Sequence, residues 1–127
     1  MTIKEVCKRY NITPDTLRYY ERVGVIPEVK RTAGGIRNYE EEDLRWIEHA
    51  ICMREAGVPV DILIEYVKLC RQGDDTFEAR SDLLKKARVE ILEARKKYDD
   101  ALKKLDYKIQ KYDEAVKTGH LDWDCKK

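Results

Sequence analysis

From Glu78 to Lys117 the chain runs without a glycine or proline, and apolar side chains recur in it every seven residues. Leu84, Ile91, Tyr98, Leu105 and Tyr112 form one series, and Leu102, Ile109 and Val116 form a second. Steps of three and four residues keep both series on one narrow stripe of an α-helix, which is the seam of a coiled coil. At ~1.5 Å per residue the helix is roughly 60 Å long. A helix of that length with so narrow an apolar stripe is not stable alone, so self-association is expected. An internal helical hairpin is the alternative, but no turn residue interrupts the run. In the first half Arg88 and Arg95 occupy the second series, flanked by Ala87, Ala94 and Ala101. That half is expected to pack against something other than a simple two-stranded partner.

The remainder of the 127 residues leaves room for one compact domain. Net charge is only +1, but it is unevenly spread. Residues 1–40 hold eight Lys/Arg against five Asp/Glu, residues 41–77 hold four against nine, and residues 78–117 hold twelve against nine. The basic N-terminal block suits phosphate binding without proving it. The cysteines, Cys7, Cys52, Cys70 and Cys125, are widely spaced and form no C-x-x-C. The opening residues are polar and no apolar stretch approaches membrane length, so a cytoplasmic protein with reduced thiols and no membrane partner is expected.

Helix signals are dense in the first half. Thr2-x-x-Glu5 is a capping box, followed by Ile3, Val6 and Tyr10 on one face until Asn11 interrupts. Thr13-Pro14 opens a second helix, which runs through Leu17 and Tyr20 toward Val23 and ends at Gly24. Two short helices joined by about three residues form a helix-turn-helix. Residues 25–39 have no helical period. Val29-Lys30-Arg31 and Ile36 to Tyr39, around the turn Ala33-Gly34-Gly35, predict a small β-hairpin wing. Glu40 to Asp43 sit where a helix N-terminus favours acids, Leu44, Ile47 and Ile51 follow inward, and Gly57 stops that helix. Pro59 opens another with Leu63, Ile64 and Val67 inward, ending before Gly73, and Asp75-x-x-Glu78 resembles a third capping arrangement. The fold expected is mainly α: a winged helix-turn-helix module with linker helices over residues 1–74, a long dimerisation helix over 75–117, and a tail over 118–127.

Chemistry concentrates in Thr13-Pro14-Asp15-Thr16-Leu17-Arg18-Tyr19-Tyr20-Glu21. Leu17, with Tyr20 or Val23, can face the core. Thr13, Thr16, Arg18 and Tyr19 occupy the turns that enter the major groove in a helix-turn-helix. Arginine supplies a planar donor fork for guanine edges or phosphates, and Tyr and Thr hydroxyls suit phosphate oxygens. Lys30, Arg31 and Arg37 lie on or beside the wing, within reach of flanking backbone. Ordinary surface charges and packed tyrosines would use the same residues.

Three segments together resemble the MerR family of bacterial regulators: Thr16-Leu17-Arg18-Tyr19-Tyr20-Glu21, Gly24-Val25-Ile26-Pro27 and Gly35-Ile36-Arg37-Asn38-Tyr39. Residues 47–58, including Met53-Arg54-Glu55-Ala56-Gly57, also resemble it. The likeness covers residues 1–117. It implies a homodimer with an antiparallel coiled coil, and binding to a pseudo-palindromic promoter with an overlong spacer. There the DNA is bent and untwisted so that RNA polymerase can engage. By the family pattern Arg18, Tyr20, Arg37 and Tyr39 contact double-stranded DNA.

Only about ten residues follow the coiled coil, too few for a separate ligand-binding domain. Arg45, His49, Cys52 and Ala56 share a helical face, where a cation and a protonated histidine would lower the Cys52 thiol pKa. The helix C-terminal dipole opposes this, and a buried core cysteine is the alternative. Residues 51–57 and 69–80 resemble the NmlR or AdhR-like branch, which implies a response to aldehydes and other electrophiles at Cys52. Metal is the second option: Cys70, His120 and Cys125 are candidate ligands, but a single tail cysteine departs from the paired pattern of metal sensors. Cys7 is expected to be structural. An enzyme is disfavoured, since His49 and Cys52 have no third orienting group and no Gly-rich loop beside them. No cofactor is expected. A coiled-coil adaptor without DNA binding would leave the basic wing unexplained.

Overall fold

The computed structural model describes residues 1–123. Helix α1, Ile3–Tyr10, begins on a reciprocal cap: the Glu5 N–H donates to Thr2 Oγ1 at 3.2 Å, and the Thr2 N–H donates to the Glu5 carboxylate at 3.1 Å. It ends at Asn11, whose φ of 55° lies in the left-handed region that asparagine tolerates. Helix α2, Pro14–Val23, is capped by Thr13, which accepts the Thr16 N–H at 3.1 Å. Gly24 closes it at φ 93°. Helices α3, Glu41–Glu55, and α4, Val60–Gln72, follow. The Glu40 N–H donates to Asp43 Oδ2 at 2.8 Å at the start of α3.

The chain forms two compact units, Met1–Arg88 and a second beginning at Val89. The core of the first draws Val6 from α1, Leu17 from α2, Val25 and Ile26 from the segment after it, Ile47 from α3 and Leu63 from α4, none more than 2% exposed. Burying each such side chain contributes about 1.5–3 kcal/mol. Helix α5, Phe77–Thr118, carries the uninterrupted heptads. Ala87 is buried in the first unit's core and Leu83 packs against it. At Leu83 and Ala87 the start of α5 thus packs within its own chain.

Two local expectations change. The predicted hairpin wing is reduced to one antiparallel bridge, Arg31 with Arg37. The Thr32 N–H donates to the Ile36 carbonyl at 2.7 Å, and the Asn38 N–H to the Lys30 carbonyl at 2.8 Å. The loop places Gly35 at φ 80°, in the left-handed region. Asp75 does not stand at the N-cap of α5, which begins at Phe77. A 3-10 turn, Asp74–Thr76, precedes it, and buried Thr76 does the joining. Its hydroxyl reaches the carbonyls of Leu69 (2.8 Å) and Gly73 (2.7 Å) and accepts from Arg80 Nε at 2.9 Å.

In the second unit Tyr98, Leu102, Leu105, Ile109, Tyr112 and Val116 are each more than half exposed, along one face of α5. After Thr118 the chain turns at Gly119, and the Trp123 ring lies 5.7 Å from Tyr112 and 6.1 Å from Tyr107. Among the described residues no helix is long and apolar enough to cross a membrane.

Candidate nucleic-acid interface

The outer face of α2 and the segment that follows it build one surface. At its start the Thr13 and Thr16 hydroxyls are 2.9 Å apart, so the cap also fixes two hydroxyls at the helix N-terminus. One turn on, Arg18 is half exposed and pairs with Asp15 at 3.5 Å. An exposed pair of this kind holds its partners by well under about 1 kcal/mol, which leaves Arg18 free to exchange a carboxylate for a phosphate or a base edge. Tyr19 is exposed, and the Arg22 guanidinium sits 5.4 Å from its ring centroid. A cation–π contact of this length keeps Arg22 on the same face as Arg18.

Glu21 joins this helix to the wing. Its Oε1 accepts from Arg37 Nε at 2.7 Å and its Oε2 accepts the Val29 N–H at 3.1 Å. The Glu21 side chain is 10% exposed and that of Arg37 is 23% exposed. An open groove of about 480 Å³ results, lined by Arg18, Glu21, Arg22, Glu28 and Arg37. Lys30 projects nearby into solvent, and Arg31 folds back to donate to the Gly35 carbonyl at 2.8 Å, bracing the wing loop.

Tyr20 and Tyr39 stand apart from this exposed set. Tyr20 is buried, and Tyr39 is 2% exposed with a hydroxyl that has no hydrogen-bond partner. Burial pushes the Tyr39 phenol pKa up, against the pull of Arg37. Tyr20 shares α2 with Arg18, and Tyr39 follows Arg37 by two residues. Reasoning from sequence missed Glu21 and Arg22. Arg22 follows Arg18 by four residues, so helical periodicity carried a signal for it. The pairing of Glu21 with Arg37 spans sixteen residues and has no local signature.

Residues 1–69, more than half of the chain, match the family described as MerR HTH family regulatory protein. The chain belongs to the MerR family. Among its MerR-family relatives, the HTH-type transcriptional regulator AdhR of Bacillus subtilis (strain 168) is 52% identical over 93 residues, covering 73% of this chain and 66% of that protein. The chain thus spans just under two thirds of that relative's length. A MerR family transcriptional regulator from Listeria monocytogenes superposes with a TM-score of 0.84 at 42% identity, covering 94% of this chain and 90% of that one. HiNmlR, a MerR family regulator lacking the sensor domain and solved bound to promoter DNA, superposes at 0.73 with 26% identity, covering 93% and 94%. Its curated relatives from Bacillus subtilis are named as HTH-type transcriptional regulators.

The sensing candidates occupy different environments. Cys52 is exposed on α3, not buried in the core. Its expected helper is turned away from a charged role: His49 stacks on Tyr66 with centroids 5.1 Å apart and meets Trp46 edge-on at 6.0 Å. Its Nε2 is enclosed with no partner, and burial pushes the imidazole pKa down. His49 is therefore neutral near pH 7 and lends Cys52 no positive charge. Cys7 is half-buried, and burial pushes its thiol pKa up against the pull of Arg18. Cys70 is half-buried close to Tyr66, whose phenol pKa is pushed up chiefly by burial. Among the described residues no group of three or more His, Cys, Asp or Glu is arranged to hold a metal ion. His120 is exposed, and Cys125 lies outside the described residues.

Proposed function

We propose that this regulator binds promoter duplex DNA as a homodimer, reading sequence with α2, and that it answers aldehydes and related electrophiles at Cys52. The observation that carries the DNA reading is the groove shared by Arg18, Arg22 and Arg37, where one carboxylate ties the wing to the recognition helix. In this reading Arg18 and Tyr19 face base edges and phosphates, with Thr13 and Thr16 at the helix start. Lys30, Arg31 and Arg37 reach flanking backbone, and Tyr20 and Tyr39 support the surface from below. Residues 1–74 act as reading head and linker, 75–117 as the dimerisation helix and 118–127 as tail.

The apolar stripe from Tyr98 to Val116 supports dimerisation, since a patch so exposed marks an interface. An antiparallel pairing there sets the span between two heads, as a pseudo-palindromic site requires. The regulator acts by bending and untwisting the spacer, and the effector shifts the protein between two DNA geometries. RNA polymerase then engages the realigned promoter. Likeness to a MerR family regulator solved bound to promoter DNA supports the DNA-binding reading. Exposure of Cys52 supports the electrophile reading, because a thiol must be reachable to be modified.

Replacing Arg18 by Ala is expected to weaken binding to a specific duplex by about 1–3 kcal/mol, read by fluorescence anisotropy. Unaltered binding would remove α2 from the interface. Promoter output under formaldehyde is expected to lose its response in Cys52→Ser, and a retained response removes Cys52 from sensing.

A further inference from the structure

We propose that Glu21 is a positioning residue for sequence recognition: it orients the Arg37 guanidinium, and through it the wing, toward the DNA-facing groove. The inference rests on the DNA-binding reading above and adds a residue that touches no nucleic acid itself.

The geometry is specific. Glu21 spends one carboxylate oxygen on Arg37 Nε at 2.7 Å and the other on the Val29 N–H at 3.1 Å. Val29 lies on the limb entering the wing and Arg37 on the limb leaving it, so one side chain of α2 fastens both. Arg37 is bound through Nε alone. Among the described residues neither of its terminal nitrogens has a hydrogen-bond partner, although Arg37 lines the groove with Arg18 and Arg22. A guanidinium is planar, so fixing Nε against a carboxylate fixes the plane in which the terminal N–H groups lie. Those groups form the fork that suits a phosphate or a guanine edge. The Glu21 carboxylate is nearly enclosed, which makes the contact more persistent than the exposed pair of Arg18 with Asp15. A surface acid on a DNA-binding helix ordinarily repels phosphate. Here the charge is turned inward and neutralised by the cation it aims.

The test measures affinity for a duplex selected by the protein from a random library, and for a scrambled duplex, at one salt concentration. The unaltered protein, E21Q, R37A, R37K and the double variant E21Q/R37A are compared, each checked for helix content. Glutamine keeps one acceptor oxygen but cannot serve both Val29 and Arg37. E21Q is expected to weaken specific binding about tenfold or more, the scale of one charge-assisted hydrogen bond, with a much smaller effect on the scrambled duplex. In the R37A background E21Q is expected to add less than about twofold, because nothing is left to orient. A merely structural role for Glu21 would not produce this coupling: equal losses with and without Arg37 overturn the proposal. R37K serves where E21Q fails to fold. Lysine keeps the charge but has no Nε or plane, so it is expected to lose as much specific affinity as R37A, and wild-type affinity in R37K overturns the proposal. If the unaltered protein selects no duplex, the DNA-binding reading falls and takes this one with it. Failure of the Glu21 arm alone appears while the unaltered protein still binds.

Discussion

Replacing Thr76 by Val removes one hydroxyl from the joint between α4 and α5 while keeping the side-chain shape. The hydroxyl proton is shared between the carbonyls of Leu69 at 2.8 Å and Gly73 at 2.7 Å, and the oxygen accepts Arg80 Nε at 2.9 Å. In the variant Gly73 keeps a partner, because Arg80 Nη2 donates to its carbonyl at 2.7 Å. The Leu69 carbonyl and Arg80 Nε lose theirs, at a site where Thr76 is 9% exposed. A neutral hydrogen bond contributes about 1 kcal/mol and one to a charged group about 1.5–3 kcal/mol. Valine's extra apolar group offsets about 1 kcal/mol. The net expectation is a loss of about 2 kcal/mol, measured by urea unfolding followed by circular dichroism at matched protein concentration. Thr76→Ser keeps the hydroxyl and is expected to lose less. In an Arg80→Ala background the Val substitution is expected to cost less again, since the charged donor is gone. A valine variant as stable as the serine variant, or a cost unchanged without Arg80, refutes the hydrogen-bond argument.

Two further predictions concern pH and self-association. His49 has a folded-state pKa below its ordinary value of 6.5, so the unfolded chain binds the proton first as pH falls. Stability is therefore unaffected by this group well above pH 6.5 and declines as pH drops through 6.5 toward the lower folded-state pKa. His49→Phe keeps the stack on Tyr66 and is expected to flatten that decline in urea midpoints, and an identical pH loss in the variant would assign it elsewhere. Ile109→Asp places a charge at the centre of the exposed α5 stripe and is expected to shift the protein from dimer to monomer in sedimentation at micromolar concentration. A variant that stays dimeric would move the interface off this face.

Much of the local structure was legible because its causes are local. Thr2 and Glu5 cap each other across one turn, Thr13 and Pro14 start α2, and Asn11 and Gly24 stop helices where the backbone turns left-handed. The seven-residue spacing of Leu84 to Tyr112 states a long helix with an apolar face, as α5 has. The candidate interface was legible only in part. Arg18 and Tyr19 announce themselves by their place in the second helix, but nothing near Glu21 in sequence says that it holds Arg37. His49 and Cys52, three residues apart on α3, were grouped by helical spacing, yet packing turns one into an aromatic stack and leaves the other in solvent. The wing's residues promise two strands, yet one bridge forms, because pairing depends on how the limbs leave the core as well as on β propensity. Ala87 reads as a helix flank and is a core residue, since α5 begins against its own head. Sequence alone determined where helices begin, end and turn an apolar face, because caps, turn residues and periodicity act between neighbours along the chain. Tertiary structure decided which charges meet, which thiol is exposed and which histidine stays neutral, because burial and pairing depend on what other segments bring to the same place.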